Sequence, residues 1–451
     1  MWTSNRATNA QRVLPCVPWM QFYLMNDSPL IPGNVSGAGG VPACARSGRF
    51  PKSADNPRAL ERNRNMAARQ FDIAVIGGGP CGIVAATYAA GGGRKVCLID
   101  RKPSPGHPVR CGEAIGLKGF ASTVELKPEW IQSKISYMKL VSPSGITVTV
   151  PNSYEGYVVD RERMEKDLTT DAVARGAEFI ADTSIVSVSS RNGDGYECRS
   201  RDSVIHAQCV ILAEGVESRL ARNLGWSTSL SLRDIHSCAF ARIAHDGVEP
   251  GTCVFYLGVK RAPGGYVWVF HRGGNTANVG LGVLGESCQK GMPRTLLEDF
   301  IREKFPGARV SDLHCGGVPM GRWIRPLVRG GVMLAGDAAH MMNCVSGAGI
   351  AYALYSGKIA GTVAAQSFVN GKCRPEMLGS YQDQWASFYG KQQDRSHAIK
   401  EVMVGFPDVF LDDVARSATK NCARKMSILS IFVKAFYKRP LLLLKVVRLL
   451  R

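Results

Sequence analysis

Residues 71–82 read FDIAVIGGGPCG, and residues 95–100 read KVCLID. Phe71–Ile76 is a short apolar run rich in Val and Ile, the composition of a buried parallel strand. Gly77, Gly79 and Gly82 follow at the spacing G-x-G-x-x-G. Gly77 permits the tight turn, Gly79 lets the backbone approach a pyrophosphate, and Gly82 lets the next helix sit close to the strand. Ile83–Ala90 supplies that helix, whose free N–H groups and positive dipole end favour phosphate. Gly91, Gly92 and Gly93 end it. Lys95–Asp100 is the second strand, and Asp100 lies about 20 residues past the glycines, where an acid binds a ribose hydroxyl. Together these features predict a dinucleotide-binding βαβ unit.

A second turn repeats the logic far along the chain, in GVMLAGDAAHMMNCVSGAGI at residues 331–350. Val332–Ala335 is a strand, and Gly336 lets it turn sharply. Asp337 is then expected as an exposed acid suited to a sugar-alcohol hydroxyl, since a carboxylate is a strong acceptor. Gly347 and Gly349 open a small-residue helix over Ile350–Gln366, whose first amides can stabilise negative charge. Either turn alone is modest evidence. Together they predict one FAD molecule held at both ends by one folded unit.

The bulk numbers set the class. At 451 residues the chain can bury a large core and form two or three domains. An apolar content of 45% with 21% charged residues is that of a globular protein. The formal net charge of +19 implies anionic partners. No basic-aromatic nucleic-acid motif accompanies it, so phosphorylated substrates or an acidic membrane surface are favoured over nucleic acid. The 14 cysteines are scattered, with no C-x-x-C pair, and Cys97, Cys209 and Cys253 sit in apolar strands. That argues for a reducing compartment and against a disulfide framework, a zinc site or an iron–sulfur cluster.

The cofactor fold is interrupted. Ile146–Val150 reads as half of a hairpin, Arg161–Arg175 as a helix, and Ser184–Val188, Tyr196–Ser200 and Cys209–Ala213 as a three-strand meander. Val254–Val259, Tyr266–Phe270 and Asn278–Val283 form a further antiparallel set, and helical pattern dominates from Ile350 onward. The expected architecture is α/β. A discontinuous Rossmann-like FAD-binding domain takes residues 66–118, 158–227 and 328–366. An inserted antiparallel-sheet substrate domain takes 119–157 and 228–327, and a helical C-terminal region takes 367–451.

The two ends differ from the rest. Residues 1–65 are rich in Pro, Gly, Ser, Asn and Arg, with only Asp27, Asp55 and Glu61 as acids, and are expected to be disordered. They read either as an over-extended start ahead of Met66 or as an organelle transit segment. The tail ends LLLLKVVRLLR after Pro440, with Lys445, Arg448 and Arg451 at three-residue steps, the pattern of a helix lying in a membrane interface. No apolar run approaches the roughly 20 residues of a membrane span. The expectation is a cytoplasmic protein that attaches peripherally to membranes, or an organellar one if the leader is a transit segment.

From about residue 70 to 370 the chain resembles the geranylgeranyl reductase family of flavoproteins. VIGGGPCG with Asp100 is shared with flavoproteins at large. PVRCGEAIG (108–116), LAEGVESRLAR (212–222), and APGGYVWVF (262–270) with ANVGLGV (277–283) narrow the likeness. The resemblance implies flavin contacts at Cys81, Asp100, Cys111, Gly112, Ala114, Arg161, Ile185 (in the strand after RGAEF), Asp337, Gly349 and Ile350. Three residues depart from the family pattern: Glu214 for Asp, and His271 and Cys344 each for Pro.

The resemblance also implies the reaction, saturation of isolated double bonds in a geranylgeranyl chain. Tyr266, Trp268 and Phe270 alternate, so a strand points all three to one face, either as core aromatics or as the wall of a lipid cavity. As a wall they can stabilise positive charge developing on carbon. Cys111 is the family's candidate proton donor, with His340 a second. Tyr266 and Trp268 complete the expected catalytic set, and no metal is expected. The electron donor is NADPH or reduced ferredoxin, since no second G-x-G-x-x-G offers a separate nicotinamide domain. A flavin monooxygenase of a small aromatic substrate is the alternative, but it does not account for PVRCGEAIG, GGYVWVF or the basic apolar tail.

Overall fold

The computed structural model describes residues 68–151 and 155–422. The leader 1–65 and the basic tail therefore lie outside the described residues, as do the expectations made for them.

Val and Ile runs flanked by turns build the first sheet. Its path runs Val328–Arg329, Val332–Leu334, Val204–Leu212, Arg69–Ile76, Val96–Ile99, Ala177–Ile180, with Tyr196–Arg199 and Ser187–Ser190 paired off the long strand Val204–Leu212. The central pairings are parallel and the outer hairpins antiparallel. Ile73, Val75, Leu98, Cys209 and Ile211 are at most 1% exposed, because helices cover the sheet on both faces. The meander falls where the turn Asn192–Gly195 puts it, but its first strand is Ser187–Ser190, not Ser184–Val188. Ile185 consequently lies in the loop after Ala177–Ile180, not in a strand, its side chain 7% exposed.

Two helices carry the glycine turns, Pro80–Gly91 and Ile350–Gln366, and they pack directly on each other. The contact is made by Gly357 and Gly361. A Cβ at either would lie 2.2 Å from a carbonyl oxygen of the facing helix, that of Cys81 or Ala85. The backbones therefore meet without side chains between them.

The second sheet is antiparallel apart from one pairing. Its order is Arg309–Pro319, Ile235–Ala244, Thr276–Leu284, Tyr266–Gly273, Thr252–Tyr256, Tyr137–Val141, Thr147–Pro151. The parallel pair is Thr252–Tyr256 with Tyr137–Val141. Residues from before and after the helix Arg161–Ala174 thus share one sheet. Alternation divides its faces. Val267, Val269, Val279 and Leu281 pack under the helix Met292–Lys304 through Leu297, Phe300 and Ile301. Phe240, Phe255, Trp268 and Phe270 cluster on the opposite face. The edge Thr147–Pro151 is covered by the helix Asp408–Cys422, where Ala415 meets Val148 and Val150. A small sheet of Ala114–Gly116, Gly156–Val159 and Ile131–Lys134 stands beside the two larger ones. No described helix is long and apolar enough to cross a membrane.

Candidate functional site

One cavity of about 1170 Å³ runs from the glycine turns to the aromatic face of the second sheet. Gly77, Gly79, Cys81, Asp100 and Ile185 line one end, and Asp337, Gly349 and Ile350 approach from the second turn. Cys111, Gly112, Ala114 and Arg161 lie between these and Tyr266, Trp268 and Phe270. Of the residues predicted from sequence, Gly82 does not line it. A Cβ there would lie 1.8 Å from the carbonyl oxygen of Gly77, so its role is to seat the helix on the turn.

The glycine-turn end of the cavity has the shape its sequence demands. Gly77 takes φ of +110°, and a Cβ on it would lie 2.2 Å from Ala213 O. Around Gly79 the reverse holds: a Cβ would meet nothing within 4 Å, so the backbone faces open cavity, as a pyrophosphate cradle must. Asp100 is 7% exposed, and its carboxylate accepts from the backbone N–H of Gly78 at 2.9 Å and of Lys102 at 3.0 Å. The carboxylate is thus fixed at the strand end, facing the cavity.

Asp337 departs from expectation. It is half-buried rather than exposed, and it faces the cavity. Burial pushes its pKa up to about 6, against the pull of Arg161. Ser356, nearly two turns into the following helix, accepts from the backbone N–H of Gly336 at 3.2 Å and lies 3.4 Å from Cys81 Sγ. A single hydroxyl therefore ties the two glycine turns together.

The loop Cys111–Glu113 is pinned onto the aromatic strand. A Cβ on Gly112 would lie 2.7 Å from the Phe270 ring and 3.1 Å from Trp268 Nε1. The pin is Glu113, which is fully buried and holds a positive φ of 64°. Its carboxylate accepts from Asn278 Nδ2 at 2.7 Å, Arg272 Nε at 3.1 Å and the backbone N–H of Arg161 at 3.0 Å, with Arg242 at 3.5 Å. Arg272 continues to Asp160 at 3.0 Å, and Asn278 also donates to Gly112 O at 3.1 Å. A buried carboxylate with this many partners is compensated. Sequence reading missed Glu113, although it lies inside PVRCGEAIG; its partners are too distant in the chain to announce themselves.

Cys111 Sγ accepts from the backbone N–H of Glu113 at 3.2 Å. The Arg161 guanidinium reaches the same thiol. Burial opposes the charge on Arg161, but Glu165 and then Cys111 outweigh it, holding the pKa above the usual guanidinium value. The thiol thus sits at the cavity wall beside an N–H donor and a cation.

The aromatic wall is a contact network. Phe255 stands edge-on to Tyr266 at 5.5 Å and to Phe270 at 5.3 Å between centroids, and Phe240 lies 5.7 Å from Trp268. Phe240 and Phe255 had no sequence signal, since neither alternates within an aromatic run. Tyr266 donates to Ser346 O, joining the wall to the second turn, and its buried hydroxyl is held protonated well above the usual range.

His340 leaves the list of proton donors. It does not line the cavity, is 3% exposed, and has both ring nitrogens against carbonyls, Arg322 O at 3.3 Å and Thr228 O at 3.2 Å. The three departures also find local roles. Glu214 accepts from the backbone N–H groups of Leu220 and Ala221 at 3.0 and 2.9 Å, capping a short helix. His271 accepts from Gly251 N at 3.1 Å and lies 2.6 Å from Ser133 Oγ. Cys344 faces Gly321 O at 3.3 Å, away from the cavity.

A family model described as the geranylgeranyl reductase catalytic domain matches residues 234–318, and one described as pyridine nucleotide-disulphide oxidoreductase matches 71–247. A digeranylgeranylglycerophospholipid reductase of Methanoculleus marisnigri is 34% identical over 385 residues, 83% of this chain and 97% of that protein. The chain belongs to the geranylgeranyl reductase family. A second member, digeranylgeranylglycerophospholipid reductase 2 of Methanococcoides burtonii, is 34% identical over 82% of this chain and 92% of its own. Among solved structures, a geranylgeranyl bacteriochlorophyll reductase-like protein from Thermoplasma acidophilum superposes with a TM-score of 0.76 at 28% identity, covering 85% of this chain and all of that one. A point mutant of the halogenase PltM, solved with FAD, superposes at 0.60 with 15% identity over 77% of this chain and 79% of its own, a likeness of fold. FAD is the cofactor of this fold, and the open backbone at Gly79 together with Asp100 and Asp337 fits it.

Proposed function

We propose that this protein saturates isolated double bonds in the geranylgeranyl chains of a lipid. The observation that carries the reading is the Cys111–Glu113 loop lying on the Trp268–Phe270 face, within the cavity that the glycine turns share. Gly77, Gly79, Cys81, Asp100, Arg161, Ile185, Asp337, Gly349 and Ile350 hold FAD, and Gly82 seats the helix behind it. Reduced flavin supplies the hydride.

The rest falls to the chain itself. An isolated alkene has no carbonyl to polarise, so hydride can add to one carbon only as a proton adds to the other. The transition state carries positive charge on carbon. Trp268 and Tyr266 line the cavity, and their π systems attract it. The buried wall keeps water out, which strengthens that attraction and holds the chain in register. Cys111 gives the proton, its sulfur held in place by the Glu113 N–H.

The substrate class rests on the relatives' printed names and on the apolar end of the cavity. Electrons arrive from NADPH or reduced ferredoxin, and the net charge of +19 favours docking at an acidic membrane surface. The experiment is mass spectrometry of lipids from cells that supply a geranylgeranyl lipid, with and without this protein. The expected result is a gain of two hydrogens per double bond; unchanged masses from a yellow, FAD-loaded protein overturn the reading. Cys111→Ala should stay yellow and lose most alkene reduction. Anaerobic bleaching by each donor in turn identifies the electron source.

A further inference from the structure

We infer that Cys111 stands in the partition between two cavities, and that the smaller, polar one is the path by which its thiol regains a proton, with His314 and His107 passing it. The inference rests on Cys111 being the proton donor.

Cys111 lines the large cavity and also a second one of about 190 Å³ on the other side of its loop. The two spaces differ in chemistry. On the alkene side stand the apolar rings of Phe240, Trp268 and Phe270, each 8% exposed. On the other side stand His107, Glu162, Arg242, Asp312 and His314. A geranylgeranyl chain has several double bonds, and each consumes one proton from the thiol. The thiol must regain a proton before each further saturation, and the histidines of the smaller cavity supply it.

Every charged group facing this space has an assignable role. Glu113 is committed to Arg272, Asn278, Arg161 N and Arg242, so its carboxylate is a fixed anchor. Arg242 also pairs with Asp312 at 3.4 Å. His107 lies 3.6 Å from Glu162, and its side chain is 60% exposed, which joins the cavity to solvent. His314, on the strand Arg309–Pro319 opposite Phe240, is placed next to the partition. Imidazole is the side chain that gains and loses a proton near neutral pH. Both histidines are positioning residues here, acting on the substrate only through the thiol.

The step balances without an added oxidant. The S–H bond breaks as the new C–H bond forms, leaving a thiolate. An imidazolium gives its proton to that thiolate and takes another from water. Sulfur and imidazole return to their starting forms, and the electrons enter only with the hydride.

The test separates the first saturation from later ones. FAD-loaded protein, kept reduced by excess dithionite and mixed with a geranylgeranyl lipid in micelles, is quenched over time and its product masses are counted. In His107→Ala/His314→Ala the first double bond should saturate at the wild-type rate and later ones more slowly, on the order of tenfold. Excess imidazole should restore the later steps. His314→Ala alone should also slow the later steps, and His314→Gln, which keeps the shape but carries no proton, should behave like it. Wild-type rates throughout, slowing that imidazole does not rescue, or full activity in His314→Gln would each overturn the inference. Cys111→Ala run in parallel should lose the first saturation; if it does not, the donor reading itself fails, and the proton route with it.

Discussion

Gly357 lies so close to Cys81 that a Cβ on the glycine would stand 2.2 Å from the cysteine's carbonyl oxygen. That approach sets the distance between the helices that carry the two glycine turns. Gly357→Ala must push the helices apart or strain both. The expected cost is about 3 kcal/mol, read from chemical denaturation, since overpacking typically costs 1–3 kcal/mol and the backbone here cannot rotate away. FAD affinity should fall with it, because Ser356 loses its bridge between Gly336 and Cys81. The control is Gly379→Ala, where a Cβ meets nothing within 4 Å, and stability should stay within about 0.5 kcal/mol.

The Glu113 carboxylate and its arginines form a unit. Glu113→Gln leaves Arg272 and Arg242 facing a neutral group in a buried setting, at an expected cost of about 3–5 kcal/mol. Arg272→Gln removes one of the two arginines on that carboxylate, leaving Asn278, the Arg161 N–H and Arg242, and should cost less, about 1–3 kcal/mol. The double variant should lose clearly less than the sum of the two, because each single change already breaks the shared interaction. Full additivity in a denaturation cycle would remove Glu113 as the anchor of the Cys111 loop.

What the sequence revealed and what it hid follow the range of each interaction. The βαβ unit was legible because its strand, turn, helix and acid lie within residues 69–100 and obey local rules. The helix Ile350–Gln366 fell on its expected bounds for the same reason. Trp268 and Phe270 shared a face because a strand alternates. Glu113 was hidden, since its partners Arg272 and Asn278 are 159 and 165 residues away and only the folded sheets bring them together. Ile185 was misplaced by a few residues because an apolar side chain can enter the core from a loop as well as from a strand. His340 looked reactive beside a glycine turn, yet its ring points behind the turn to Thr228 and Arg322. The G-x-x-x-G of Gly357 and Gly361 was a signal that went unread.

Asp337 gives a pH-dependent prediction. Burial raises its folded pKa to about 6, above the unfolded carboxylate value of about 3.9. The sign follows from linkage. A group with a raised folded pKa favours the folded state fully below the unfolded pKa, and that contribution is lost as pH rises through about 6. Flavin-free Asp337→Asn should therefore melt higher than flavin-free wild type at pH 8, and the gap should close toward pH 4. FAD loading should reverse the order at pH 8, because the amide is the weaker acceptor for a sugar hydroxyl. Melting curves with and without FAD at the two pH values decide it.

Trp268 tests whether the wall is catalytic or only apolar. Its ring is 8% exposed and lies within 6.4 Å of Tyr266, Phe240 and Phe270 by centroid distance. Trp268→Phe keeps a ring face toward the alkene, whereas Trp268→Leu keeps only apolar bulk. A desolvated cation–π contact is worth about 2 kcal/mol, which converts to a rate loss of about 30-fold in the leucine variant. The phenylalanine variant should lose only a few-fold. Both remove volume from the wall, so looser packing alone would slow them in proportion to the volume lost. The discriminating quantity is kcat measured at saturating lipid with the flavin fully reduced. A leucine variant as fast as the phenylalanine one would show that the wall excludes water and shapes the channel without stabilising charge on carbon.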